Sequence, residues 1–388
     1  MVNTNIQFIK NEEAKKIHNS SLELLQNVGL KLNDIEILKR LKEFDTLVDL
    51  DNNTLKIPKK ISDYFLNKVP RKITLFAIDP AYDIELGEKR IYRPISGSIN
   101  INEYENISGG ISDITTRKAT SNDVRSIAKI VQKLDLIHYN ATAVLPGDVP
   151  EKAMDITAAK ISFENCSKHT LVDTLNRRSF EAVLEMAFKI SGSEDEFKKR
   201  PFFQVHFPAT SPLMFDKNAC DNAKMAARHN IPIRVSSSPM SGLSGPIKLA
   251  GNLLLMHTEI IGGTIITQML KEGCPVFYAS APSIFDMRFA TFSWGAAEAV
   301  KMCAAASALA RECRMFYSTV GFATDSKLPD QQSAIERSIN LLLVAMSGVD
   351  IFAGAGLLEG ELTYDAAQLV IDNEIAKYVE NILRGIEV

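Results

Sequence analysis

The sequence predicts an α/β protein, a (β/α)8 TIM barrel with a small N-terminal helical cap. Two observations carry the prediction. Short β-branched, apolar runs recur along the chain, each closed by small or polar residues, and each is followed by a stretch of helical periodicity. In chain order the runs are Ile91 to Gly97, His138 to Leu145, His169 to Thr174, Phe202 to Pro208, Pro232 to Ser238, Val276 to Ala281, Met315 to Gly321 and Asp350 to Gly356. Eight strands alternating with helices suggest a closed barrel, and in that fold chemistry sits just after each strand.

The segment before these runs has a different texture, rich in Lys, Asp and Asn. Asn11 can cap a helix whose apolar positions Ile17, Leu22, Leu24, Leu25 and Val28 share one face and which ends near Gly29. Asn33 with Glu36 three residues later resembles a capping box for a second helix, and Ile57-Pro58 to Leu66 reads as a third. Ile73 to Ile78 then leads into the barrel. Residues 1–90 are therefore assigned to the cap and 91–388 to the barrel. The bland reading of the cap is a structural plug on one barrel end.

Two barrel helices have unusual composition. Leu249 to Leu270 is long and nearly uncharged, but it contains His257, Thr258, Glu259 and Gln268. A charge at the bilayer centre costs about 3 kcal/mol, so a buried barrel or subunit-interface helix is expected rather than a membrane span. Ala296 to Leu309 reads as small-residue packing.

Composition excludes several classes. The chain has 388 residues, 46% of them hydrophobic, and a net charge of −3, so a large core is affordable and no basic excess suits nucleic acid or anionic membrane. Met1 to Lys10 has no secretory leader pattern, and a cytoplasmic protein is expected. The five cysteines, Cys166, Cys220, Cys274, Cys303 and Cys313, form no CxxC pair, and no two histidines stand at helical ligand spacing with a Glu. No protein-ligated metal is expected.

The strand ends are richer. Ser236 to Pro246 is a hydroxyl-rich loop containing Ser241 and leading into a helix, suited either to an anion or to a tight turn. Tyr278 to Gly295 holds Phe285, Phe289, Phe292 and the only Trp, Trp294, in what reads as a loop; aromatic faces there attract cations, quaternary ammonium above all. Asp286 and Arg288 within it can pair with each other, or Arg288 can hold a substrate carboxylate. Asp325 and Lys327 follow the seventh run, where a turn-and-cap role competes with a chemical one, and Glu359 and Glu361 follow the eighth.

These residues fall into ordered motifs. Pro239-Met240-Ser241-Gly242 with Leu249-Ala250-Gly251, Asp286-Met287-Arg288, Phe292-Ser293-Trp294-Gly295, Thr324-Asp325-Ser326-Lys327, Leu358-Glu359-Gly360, Leu369 to Glu374 and Arg384 to Val388 resemble the trimethylamine methyltransferase family of corrinoid-dependent methyltransferases. The likeness continues more weakly to the N-terminus. It implies a barrel that takes a methyl group from a methylated amine and passes it to Co(I) of a corrinoid (cobalamin) carried by a separate small protein, in methyl metabolism of the methanogenic or acetogenic kind. No cofactor is then bound directly, and the partners are the corrinoid protein, a small quaternary amine and further copies in a homo-oligomer.

Members of the family that use trimethylamine carry pyrrolysine, at or near the position of Phe322 or Ala323. The ordinary residues here imply the non-pyrrolysine branch and betaine-type substrates. In this reading Tyr278, Phe292, Trp294 and Phe322 form an aromatic cage, and Arg288 and Ser241 complete the substrate-binding set. Asp325, Lys327 and Glu359 are the catalytic candidates. The chain departs from its relatives at Pro94 to Ser98, at Phe289-Ala290 and at Ala353, and it stops where they continue with a tail suited to docking or dimerisation. The alternative is a non-catalytic barrel that only binds a quaternary amine.

Overall fold

The computed structural model describes residues 6–105 and 113–386; residues 1–5 of the Met1 to Lys10 segment and residues 387–388 of the C-terminal motif lie outside the described residues. Eight parallel strands form the barrel: β1 (Ile91–Pro94), β2 (Asn140–Ala141), β3 (Thr170–Val172), β4 (Phe203–Pro208), β5 (Ile233–Ser237), β6 (Val276–Ser280), β7 (Tyr317–Val320) and β8 (Ile351–Ala355). Each lies inside its predicted run. β8 pairs with β1, and parallel bridges Tyr92–Ile137 and Ser98–Val144 close the gap between the first and second strands.

Strand parity decides what faces the lumen. An antiparallel hairpin, Thr74–Leu75 with Ile84–Glu85, packs Leu75 and Ile84 against Ile91, Tyr139, Leu171, Phe277 and Ile351, forming a second apolar core at the strands' N-terminal end. The segment read as leading into the barrel thus seals its floor. Counting by two, or across the register, from these floor residues puts Arg93, Asp173, Gln204, His206, Arg234 and Ser318 on the inward face.

Twelve helices surround the strands among the described residues. In the N-terminal region these are α1 (Asn11–Asn27), α2 (Ile35–Leu41) and α3 (Lys59–Leu66). The caps sit one residue from expectation: Lys10 precedes α1, and the Asp34 carboxylate accepts from Ile37 N–H at 3.0 Å to start α2. This region is not wholly helical. Leu30–Leu32, Leu47–Asp49 and Thr54–Lys56 form a small sheet with Met214–Phe215, and the Asp49 side chain nucleates its turn by accepting from the backbone of Asp51 and Asn52.

Following the cap come α4 (Ser121–Lys133), α5 (Met154–Asn165), α6 (Arg177–Ser191), α7 (Glu194–Lys199), α8 (Lys217–Arg228), α9 (Leu249–Leu270), α10 (Ala297–Glu312), α11 (Gln331–Met346) and α12 (Ala366–Arg384). The apolar α9 is wedged between barrel wall and N-terminal region, with 78% of its most apolar window buried, which is why it lacks a polar face. Its glycines permit the fit. A Cβ on Gly262 would lie 2.4 Å from the Leu30 side chain, and one on Gly263 2.7 Å from that of Val235. Glu259, buried in the same helix, accepts from Ser211 Oγ and Leu213 N–H, both at 2.8 Å, and from Ser237 Oγ; burial pushes its carboxyl up.

Candidate functional site

Directly above the apolar floor lies a layer of charge. Arg93 comes from β1, Asp173 from just after β3, His206 from β4 and Arg234 from β5. The Arg234 guanidinium donates to His206 Nε2, so that nitrogen accepts and Nδ1 carries the proton, donating to Asp173 at 3.1 Å. The chain Arg234–His206–Asp173 thus joins a cation to a carboxylate through a neutral imidazole. Arg93 donates to the Pro94 carbonyl at 2.8 Å and lies over the Tyr139 ring, 6.0 Å from its centroid.

Glu361 enters this layer from above. Three consecutive residues, Glu359, Gly360 and Glu361, have φ of 50°, 56° and 87°, a left-handed run uncommon outside glycine. Surrounding bonds hold it: Glu359 N–H donates to Ser326 O at 2.8 Å, Gly360 N–H to Thr324 O at 3.2 Å, and Leu357–Leu358 pairs with Thr363–Tyr364. The result buries much of Glu361 within the electrostatic reach of Asp173, Arg93 and Arg234.

The electrostatics follow from crowding. Burial pushes Glu361 up to about 7, with Asp173 adding to the rise and the two arginines opposing it. Burial, then Arg93, push Arg234 down to about 9, leaving it charged at neutral pH. Burial lowers His206; the Asp173 charge opposes this and Arg234 reinforces it. Asp173 goes the other way: burial opposes its charge, but His206, a hydrogen bond from Ser96 and the Arg93 charge hold it well below the usual carboxylate range. Among the described residues, Arg93 Nε, Arg234 Nε, Ser318 Oγ and Gln204 Oε1 have no partner. Asp173, His206 and Glu361 are only half-buried, so the layer is reached through the barrel mouth.

Most of the residues singled out from sequence sit elsewhere. Tyr278 lies on the outward face of β6, its hydroxyl 3.1 Å from His257 Nδ1 on α9, because its neighbour Phe277 takes the inward position. Phe322 is fully buried outside the barrel, 6.1 Å from Tyr92, whose hydroxyl bonds Glu380 on α12 at 2.6 Å. Neither ring can contribute to a cage in the mouth. Ser241 is buried with its hydroxyl 3.8 Å from the Met302 sulfur on α10. Arg288 is 82% exposed at a hairpin tip, paired with Asp286 at 3.0 Å and lying over Phe289.

The three catalytic candidates are likewise committed to the rim. Asp325 accepts from Ser293 Oγ, from Trp294 N–H at 3.0 Å and from Gly295 N–H at 3.1 Å, fastening the β6–α10 loop just before α10 begins. Lys327 is exposed and pairs with Glu359 at 3.3 Å; Glu359 also accepts from Thr363 Oγ1 at 2.9 Å. The structure therefore substitutes Glu361 for Glu359 as the inward carboxylate.

Phe292 and Trp294 do reach the mouth. Their rings meet edge to face at 5.4 Å, Trp294 Nε1–H donates to Ala281 O at the end of β6, and the Phe292 ring lies over Gly360, next to Glu361. Of the interior residues missed from sequence, Arg93, His206 and Arg234 lie within strands, and Asp173 lies one residue past the end of β3. Their signal was an arginine at an alternating position of an otherwise apolar run, at Arg93 and Arg234.

Comparisons with known proteins agree with this architecture. A trimethylamine methyltransferase of Desulfitobacterium hafniense is 33% identical over 379 residues, 97% of this chain and 75% of the relative. One from Methanosarcina thermophila is 31% identical over 99% of this chain and 79% of its own length. A glycine betaine methyltransferase of Desulfitobacterium hafniense is 24% identical over 96% of this chain and 77% of its own. Among solved structures, the monomethylamine methyltransferase of Methanosarcina barkeri shares the fold, with a TM-score of 0.59 at 12% identity over 95% of this chain and 79% of that one. The sequence profile named trimethylamine methyltransferase matches residues 2–388, and the chain belongs to that family.

Proposed function

We propose that the protein transfers a methyl group from a small, carboxylate-bearing quaternary amine to the corrinoid of a partner protein. One observation carries the choice of substrate: two inward arginines, Arg93 and Arg234, with unpartnered Nε–H groups beneath the mouth, facing the carboxylates Asp173 and Glu361. Opposite charges in one cup match a zwitterion, with the guanidiniums taking its carboxylate and Glu361 with the Phe292–Trp294 pair facing its ammonium. A Co(I) corrinoid, when presented, supplies the nucleophile that accepts the methyl group. The amine then leaves neutral, with its lone pair restored, so the protein's own work is to orient the C–N bond and exclude water. Exposed apolar residues around the rim, Ile99, Leu243, Ile247, Met287, Phe289 and Leu362, support a protein partner docking over the mouth. We place the reaction in the cytoplasm, consistent with five free thiols.

A second reading, trimethylamine as substrate, is favoured by the higher identity to trimethylamine methyltransferases. Methyl transfer to Co(I) corrinoid protein, followed by the corrinoid absorbance change, separates the two across glycine betaine, proline betaine, carnitine, choline and trimethylamine. Turnover confined to the carboxylate-bearing amines is the expected result. Turnover of trimethylamine alone refutes the proposal. Binding of a betaine without turnover beside a competent partner moves the protein to the binding-only class.

A further inference from the structure

Outside the barrel wall, between α1, α9 and the end of α10, three ligand-type side chains converge. His18 Nδ1 lies 3.0 Å from His257 Nε2 and 3.7 Å from Cys313 Sγ, and all three atoms fall within 4.8 Å of one another. We propose that His18, His257 and Cys313 form a zinc site that ties the N-terminal region to the barrel. A tetrahedral zinc with bonds of about 2.0–2.1 Å to nitrogen and about 2.3 Å to sulfur sets its ligands about 3.3 Å (N to N) and about 3.6 Å (N to S) apart. The two spacings to His18 differ from these by a few tenths of an ångström, and His257 Nε2 and Cys313 Sγ, within 4.8 Å of each other, close on a shared metal by side-chain rotation.

The second layer of contacts is also that of a metal site. Tyr278 OH lies 3.1 Å from His257 Nδ1, so it fixes the ring and, by accepting the Nδ1 proton, frees Nε2 as a ligand. Arg71 donates to the carbonyls of Cys313 and Arg314, at 3.0 and 2.7 Å, holding the turn that presents the thiol. His257 and Cys313 are buried, while His18 is half-buried on α1 and gives the metal its route in. Two imidazoles and one thiolate leave a fourth position for water. The site stands behind the outward Tyr278 and so is separated from the charged layer by the barrel wall; it does not depend on the identity of the amine.

The test uses the full chain, stripped with a chelator and then equilibrated with zinc or cobalt. Expected are one zinc per chain by elemental analysis and, with Co2+, tetrahedral d–d bands together with a thiolate-to-cobalt charge-transfer band. Cys313→Ser should abolish the charge-transfer band, and His18→Ala, at a half-buried position, should remove stoichiometric binding while circular dichroism stays unchanged. Tyr278→Phe, which acts only through His257, should weaken zinc about 10- to 100-fold. Failure to take up zinc, or uptake that survives both Cys313→Ser and His18→Ala, overturns the proposal.

Discussion

Replacing Glu361 by Gln tests whether the carboxylate in the mouth is kept for ligand binding at a cost in stability. A carboxyl raised from 4.5 to about 7 on folding holds its proton while the unfolded chain has lost it. Stability therefore falls as pH rises from about 4.5 to about 7, and is level on either side. The full shift corresponds to about 3 kcal/mol at 1.36 kcal/mol per pH unit, and partial exposure of the side chain reduces this to roughly 1–2 kcal/mol. Glutamine keeps the shape without the charge, so Glu361→Gln should be the more stable protein at pH 8 and indistinguishable at pH 4.5. For a chain of this length that is a melting difference of roughly 1–3 °C. The assay is thermal unfolding of both proteins across that window, with isothermal titration of glycine betaine at pH 8 in parallel. Wild-type and variant curves that track each other across pH refute the electrostatic argument. Unchanged betaine affinity in the variant refutes the role assigned to the carboxylate.

Arg234→Lys keeps a charge but loses the planar fork, and should raise the KM for carboxylate-bearing amines about tenfold while leaving choline binding unchanged; equal effects on both remove the arginine from carboxylate recognition. Glu259→Leu strands the donors of Ser211, Ser237 and Leu213 in a buried helix and should cost about 3 kcal/mol or more in denaturant unfolding, with Glu259→Gln milder; a cost below about 1 kcal/mol contradicts the hydrogen-bond accounting. Arg288→Ala should leave amine KM within about twofold because its exposed side chain is paired with Asp286, whereas Phe289→Asp on the same hairpin should raise the KM for corrinoid protein about tenfold. Steady-state kinetics with each substrate varied separately reads both, and the reverse pattern returns Arg288 to the substrate site.

All eight barrel strands were legible because parallel strands covered on both faces read as largely apolar runs between turn residues, with only isolated polar positions inside them. That same property hid the site. In Val276–Ser280 both Phe277 and Tyr278 are aromatic and fully buried, so nothing local says which one faces the lumen; closure of the barrel decides it. Looking only after strands also passed over Arg93, His206 and Arg234, which lie within them. The choice between Glu359 and Glu361 depends on three successive positive φ values, and only Gly360 hints at these in sequence. His18 and Cys313 are 295 residues apart, and no spacing rule joins side chains that α1, α9 and the end of α10 bring together.

The hairpin floor gives the charged layer its functional character. A barrel open at both ends would let water reach Arg93 and Arg234 from below and weaken any carboxylate they held. The second apolar core closes that end around Phe277, Ile351 and Leu171, so the two guanidiniums, each with an Nε–H unpartnered among the described residues, are approached from the mouth alone. In the proposed reaction, amine and methyl acceptor must then share that opening. The polar contacts lie deep, on rigid strands, while the exposed apolar side chains lie on the loops above them. A small ligand can be oriented before a large partner covers it, and in that arrangement the partner itself supplies the lid that excludes water from the displacement.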